Sequence, residues 1–222
     1  MSERLLNILA DSFLKILVPG IKITIPLTIV SFAIGMVIAL LVAMIEVAKV
    51  PVLRQFCRFY VWIIRGTPLL VQLYVIFYGL PRLGILISPI PAAIIVFSVS
   101  VGAYDSETMR AAIESVSHGQ IEAGYSVGMN YFQIMRRIVL PQAFRTAFPP
   151  LSNSLIGLVK DTSLAANITV AEMFMCAQRI VARTYEPFAL YLEVAFIYLI
   201  FCTVLTKIQS VCEKKLSAYK KR

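Results

Sequence analysis

Charge is scarce in this chain of 222 residues: Asp, Glu, Lys and Arg make up 15% of it, against 59% apolar residues. A soluble domain carries about 45–50% apolar residues, and the mean hydropathy here is +0.82, so an ordinary water-soluble domain is excluded. Histidine is almost absent. The single one, His118, reads as a solvated loop residue rather than a ligand, and no metal site is expected. The four cysteines (Cys57, Cys176, Cys202, Cys212) form no CxxC pair, which removes a zinc or disulfide framework and leaves them as apolar filler. No GxxxxGK[ST] occurs, so the chain has no loop to cradle nucleotide phosphates. Without HExxH or GxSxG, a membrane-embedded enzyme is a poor fit. A secretory signal is also missing, because Asp11 and Lys15 interrupt the first apolar run.

What is present is long apolar runs. A span needs about 20 mostly apolar residues, and five are expected: Ile21 to Ile45, Phe59 to Leu80, Pro91 to Ala112, Phe148 to Val170 and Phe188 to Ile208. The fold class is therefore an all-α membrane protein. Ahead of the first span, Arg4, Asn7, Asp11 and Lys15 recur at helical spacing, so residues 1–20 read as an amphipathic helix in the membrane interface, the alternative being a polar-flanked start of the first span itself. Residues 21–212 form the membrane domain, and 213–222 a basic tail suited to a membrane surface or solvent rather than to nucleic acid. Five spans put the termini on opposite sides. Thirteen basic residues (Lys49, Arg54, Arg58, Arg110, Arg136, Arg137, Arg145, Lys207, Lys214, Lys215, Lys220, Lys221, Arg222) fall on one side and six on the other. Basic residues collect in the cytoplasm, so the N-terminus is expected outside and the C-terminus inside.

One polar stretch, about residues 118–141, then lies in the cytoplasm. Gly128 divides it into two short helical patterns, and Tyr131, Ile134, Met135 and Ile138 form an apolar stripe at helical spacing. Pro141 is expected to stop the run. Such a pair of helices at a glycine elbow can be a knob for another protein's groove, or a loop folded back on its own domain.

Glu122-Ala123, Gly128 and Ile138-x-Leu140-Pro141 are spaced as in the EAA motif of binding-protein-dependent ABC importer permeases, and the chain resembles that family. Gly124 departs from the usual second alanine but is also small. "RGTPLLVQLYVIFYGLP" (Arg65 to Pro81) and "LVKDTSLAA" (Leu158 to Ala166) are similar to signatures of the polar amino-acid subfamily, which serves histidine, glutamine, arginine and cystine. The resemblance implies a type I ABC importer permease fold in a bacterial cytoplasmic (inner) membrane. It implies that Glu122, Ala123, Gly128, Arg136, Leu140 and Pro141 couple to an ATP-binding cassette ATPase dimer, which would bind the ATP and Mg; no cofactor belongs to this chain. An extracytoplasmic amino-acid-binding protein and a second permease, identical or paralogous, are the other implied partners, with cystine or a basic or amide amino acid as cargo.

Ionisable groups at membrane depth line cavities or pair with one another. The expected solute-contacting set is Arg65, Thr67, Asp105, Glu107, Lys160, Asp161, Thr162 and Ser163; its charges offer both signs, as a zwitterion requires. Pro68 should break the second span after Arg65-Gly66-Thr67. Arg65 then either receives a carboxylate or pairs with Asp161 or Glu107. Asp105 and Glu107 lie about 200° apart on a helix and cannot share one narrow cavity; by resemblance Glu107 is the family's usual acid and Asp105 the unusual one. Glu193 is expected to pair rather than to bind solute. The rival to an ATP-driven importer subunit is a gradient-driven secondary carrier with a proton site at Asp105 or Glu107, which an internal inverted repeat would favour; none is visible.

Overall fold

In a computed structural model, which describes residues 3–218, every element is helical. The helices are α1 (Glu3–Pro19), α2 (Ile25–Val47), α3 (Pro51–Gly66), α4 (Leu69–Tyr74) and α5 (Pro89–Glu114). They continue as α6 (His118–Ser126), α7 (Tyr131–Ile134), α8 (Leu140–Asp161), α9 (Met173–Thr184) and α10 (Pro187–Ala218). Lys220, Lys221 and Arg222 of the expected basic tail lie outside the described residues.

Proline placement explains much of this order. Three wide π-helical turns occur, at Gly20–Thr24, Val75–Gly79 and Met135–Val139. Each ends two residues before a proline: Pro26, Pro81 and Pro141. In each, the residue preceding the proline donates its N–H five residues back, Ile25 to Gly20 O, Leu80 to Val75 O and Leu140 to Met135 O. A proline ring clashes with the carbonyl four residues earlier and leaves it without a donor. Widening the turn by one residue moves that carbonyl aside, so the helix survives.

Two expectations change as a result. Pro141 does not stop the run: Tyr131–Ile168 is continuous, and the fourth span starts well before Phe148. Likewise no break separates an interfacial helix from the first span, since Glu3–Val47 is a single helical stretch of 45 residues. Arg4, Asn7, Asp11 and Lys15 do share its exposed side, with Lys15 paired to Asp11. Pro68, by contrast, has no wide turn before it and the helix breaks there. Thr67 (φ −122°, ψ 144°) and Pro68 (φ −64°, ψ 137°) are extended, and the Thr67 hydroxyl donates to Ile63 O at 2.9 Å.

Among the described residues, three helical stretches are long and apolar enough to cross a membrane: Glu3–Val47, Pro89–Glu114 and Pro187–Leu216. The count reaches five when Pro51–Gly66 with Leu69–Leu83, and Tyr131–Ile168 with Met173–Thr184, are each taken as one bent span.

The chain packs as two units. The first takes the chain up to Ala33, with Pro68–Phe97 and Leu155–Lys207. Its core is Ile16, Met173, Ala177, Val194 and Ile197, where α1 lies along α9 and α10. Ser12 in α1 donates to Glu193 in α10, so Glu193 is paired as expected. The second unit takes Ile34–Thr67, Ser98–Ser154 and the chain from Ile208. Within it α2 and α5 approach closely through two glycines. A Cβ on Gly35 would lie 2.6 Å from Val101, and one on Gly102 would lie 2.6 Å from Ile38 and 2.8 Å from the Tyr60 hydroxyl. Small residues permit such backbone approach between apolar helices. Gly102→Val is therefore expected to cost about 1–3 kcal/mol of stability through overpacking, read as a lower melting temperature of the detergent-purified protein. Gly66→Ala, whose Cβ meets nothing within 4 Å, should leave the melting temperature within error.

Candidate functional site

In the first unit, α8 ends at Asp161 and tightens into a 3₁₀ turn, Thr162–Ile168. Two hydroxyls fasten that turn to the helix: Thr162 donates to Val159 O and Ser163 to Lys160 O, both at 2.7 Å. Lys160 and Asp161 are exposed and Thr162 is buried. Lys160 and Ser163 border a cavity of about 530 Å³ whose other walls include Phe174 of α9 and Tyr198, Leu199 and Cys202 of α10. The cavity offers one ammonium and one hydroxyl beside aromatic and sulfur-bearing walls. Sequence reasoning selected Lys160 and Ser163 but missed Phe174, Tyr198 and Cys202, which carry no polar pattern of their own.

It also missed Glu172, which is completely buried. Its carboxylate caps α9, accepting from Met175 N at 2.8 Å and Phe174 N at 2.9 Å, and accepts the Tyr198 hydroxyl at 2.7 Å. An acid immediately before an amphipathic run was the available signal.

The other expected solute-contacting residues, Arg65, Thr67, Asp105 and Glu107, belong to the second unit. Asp105 and Glu107 do point apart. Asp105 is 3% exposed, and its Oδ2 has no hydrogen-bond partner among the described residues. Glu107 accepts from Arg110, one turn on, at 2.7 Å. Arg65 is exposed and carries its guanidinium 5.4 Å from the Tyr104 ring centre, a cation–π contact. Arg110 gathers two further acids, Glu114 at 2.7 Å and Glu46 of α2 at 3.2 Å. This ion cluster borders a cleft of about 280 Å³ with Arg54, Arg58 and Trp62 of α3.

The polar segment also lies in the second unit. Gly128 holds φ +80°, the left-handed region, between α6 and α7. Its N–H donates to Tyr125 O and that of Met129 to Gly124 O, which closes the end of α6. Asn130 and Gln133 then start α7 with a reciprocal capping box, both bonds at 2.9 Å. Most of the apolar stripe faces inward: Ile134 is 1% exposed, Met135 packs on the same core, and a Cβ on Gly124 would lie 2.9 Å from Ile134. Its first member, Tyr131, is exposed, together with Tyr125, Val127 (76%) and Phe132 (70%). Glu122, Ala123, Arg136, Leu140 and Pro141 are exposed beside them.

Because three acids share Arg110, its removal leaves uncompensated charge in a partly buried place. Arg110→Met is expected to cost about 3 kcal/mol, the lower end for breaking a buried pair. Adding Glu46→Gln, which neutralises the most buried of the three, should restore part of the loss in thermal melting.

Residues 31–218 match the family model described as binding-protein-dependent transport system inner membrane component. The chain is 50% identical over 214 residues to the L-cystine transport system permease protein TcyB of Bacillus subtilis (strain 168), covering 96% of this chain and 92% of that one. It is 40% identical over 202 residues to the probable amino-acid ABC transporter permease protein YckA of the same organism, covering 91% and 89%. A crystal structure of an amino acid ABC transporter with histidines superposes with a TM-score of 0.89 at 30% identity, over 97% of this chain and 100% of that one. The chain belongs to the binding-protein-dependent transport system inner membrane component family, and its fold is that of type I ABC importer permeases.

Proposed function

We propose that this chain is the permease subunit of an ATP-driven importer of polar amino acids, with L-cystine as the cargo. The observation that carries the cargo is the 50% identity, over nearly the whole chain, to a cystine permease. The cavity beside Lys160 supports it. Its ammonium suits a carboxylate, and Phe174, Tyr198 and Cys202 suit a polarisable disulfide, since sulfur packs favourably at aromatic rings. Asp161, exposed beside Lys160, is the acid available to the α-ammonium. Thr162 acts from beneath the turn. Arg65, Thr67, Asp105 and Glu107 belong to the path's second set of polar groups, with Glu107 committed to Arg110 and Asp105 the one with a free oxygen.

The elbow at Gly128 is the coupling element. Its rigid caps present Tyr125, Val127, Tyr131 and Phe132 with Glu122, Ala123 and Arg136 around them, a small apolar knob with a polar rim of the kind that fills a groove on a partner. The partner is an ATPase dimer that holds the ATP and Mg. A second permease, the same chain or a paralogue, completes the path, and an extracytoplasmic amino-acid-binding protein delivers the solute. The chain spans the bacterial cytoplasmic membrane with its N-terminus outside and C-terminus inside, the orientation favoured by its basic residues.

Uptake of L-cystine into vesicles holding the permease and its ATPase should require both internal ATP and the external binding protein. Uptake driven by an ion gradient without ATP would overturn the proposal. In that assay Gly128→Val is expected to lose most uptake. The left-handed conformation costs a non-glycine residue about 1–2 kcal/mol, and a β-branched one adopts it least readily. The ATPase should co-purify poorly with this variant while binding-protein affinity for solute is unchanged.

Orientation has its own check. Reporter fusions after Arg54 and Gly119 should read as cytoplasmic, and fusions at Ser88 and Arg183 as external; a cytoplasmic signal at Ser88 would refute the assigned topology.

A further inference from the structure

Capping explains two of the hydrogen bonds that Glu172 accepts. The N-terminal N–H groups of a helix have no partner within it, and a carboxylate there also sits at the positive end of the helix dipole. Capping does not explain the third donor. The Tyr198 hydroxyl comes from a different helix, 26 residues further along, and reaches Glu172 Oε2 at 2.7 Å. This bond ties the start of α9 to α10, beside the cavity that Tyr198 lines.

The ring of Tyr198 is a wall of the cavity, while its oxygen is engaged behind the wall. Phenylalanine would fill the same volume without the polar atom. A phenol buried in an apolar unit is costly unless bonded, so the hydroxyl serves to hold something in place. A site whose contacts are not locked from behind is loose by fractions of an ångström, and binding suffers.

We infer that Tyr198 is a positioning residue of the solute site: its bond to Glu172 fixes its ring as a wall of the cavity beside Lys160 and Ser163. The inference rests on reading the cavity as the solute site, and the experiment separates the two.

Binding of radiolabelled L-cystine to the purified permease–ATPase complex, without the binding protein, is measured by equilibrium dialysis. The proteins compared are wild type, Lys160→Gln, Tyr198→Phe, Glu172→Gln and the double variant Tyr198→Phe/Glu172→Gln. Lys160→Gln is expected to weaken binding because it removes the ammonium. Tyr198→Phe should raise Kd about tenfold per folded complex, a factor set by the loss of one well-placed constraint. Glu172→Gln should act similarly, and the double variant should bind no worse than the weaker single one, since both changes cut the same bond. A merely structural tyrosine would lower the melting temperature and leave Kd per folded complex unmoved. Wild-type Kd in Tyr198→Phe alongside weakened binding in Lys160→Gln overturns the positioning role alone. Multiplying effects in the double variant overturn it as well. No binding by wild type, or unchanged binding in Lys160→Gln, overturns the reading of the cavity itself. Should Glu172→Gln fail to fold, Tyr198→Phe, which removes a single oxygen, still decides the matter.

Discussion

Backbone hydrogen bonding where no water can substitute is the constraint from which most of this structure follows. Every N–H and C=O at membrane depth must find its partner inside the protein, yet the sequence places prolines within its long apolar stretches. The conflict is resolved in two ways. Before Pro26, Pro81 and Pro141 the helix widens by one residue and continues. At Pro68 it breaks, and the Thr67 hydroxyl turns back to satisfy the Ile63 carbonyl.

Charge is held under the same discipline. The second unit gathers three acids around Arg110. The first buries Glu172 beneath three donors. Each arrangement gives a buried acid its partners: Glu46 is met by Arg110, and Glu172 by two backbone N–H groups and the Tyr198 hydroxyl. Small residues complete the scheme, because Gly35 and Gly102 let α2 and α5 meet closely enough for the acid on one helix to reach the arginine on the other.

Local chemistry was legible in the sequence wherever it dictated local geometry. Gly128 had to be an elbow, since a left-handed turn favours glycine, and the opposed directions of Asp105 and Glu107 follow from helical spacing alone. Pro141 misled because its effect depends on what precedes it, and a wide turn has no residue code of its own. The stripe of Ile134, Met135 and Ile138 announced an amphipathic helix without saying which face met the core; Gly124, whose missing side chain makes room for Ile134, was the quiet indication. Glu172 and Tyr198 escaped because their bond joins separate helices, and periodicity within either helix says nothing of it.

The wide turn at Met135–Val139 has a geometric effect that outlasts its role in accommodating proline. One residue more than an α-helix requires is one step of about 100° around the axis, so everything upstream is turned by that angle relative to α8. The core-facing row of Ala143, Ala147 and Leu151 and the outward face of Tyr131 and Phe132 are therefore set in rotational phase by the position of a single ring, Pro141. A one-residue deletion within that turn would return a carbonyl to the Pro141 ring and also swing the knob to a different compass bearing.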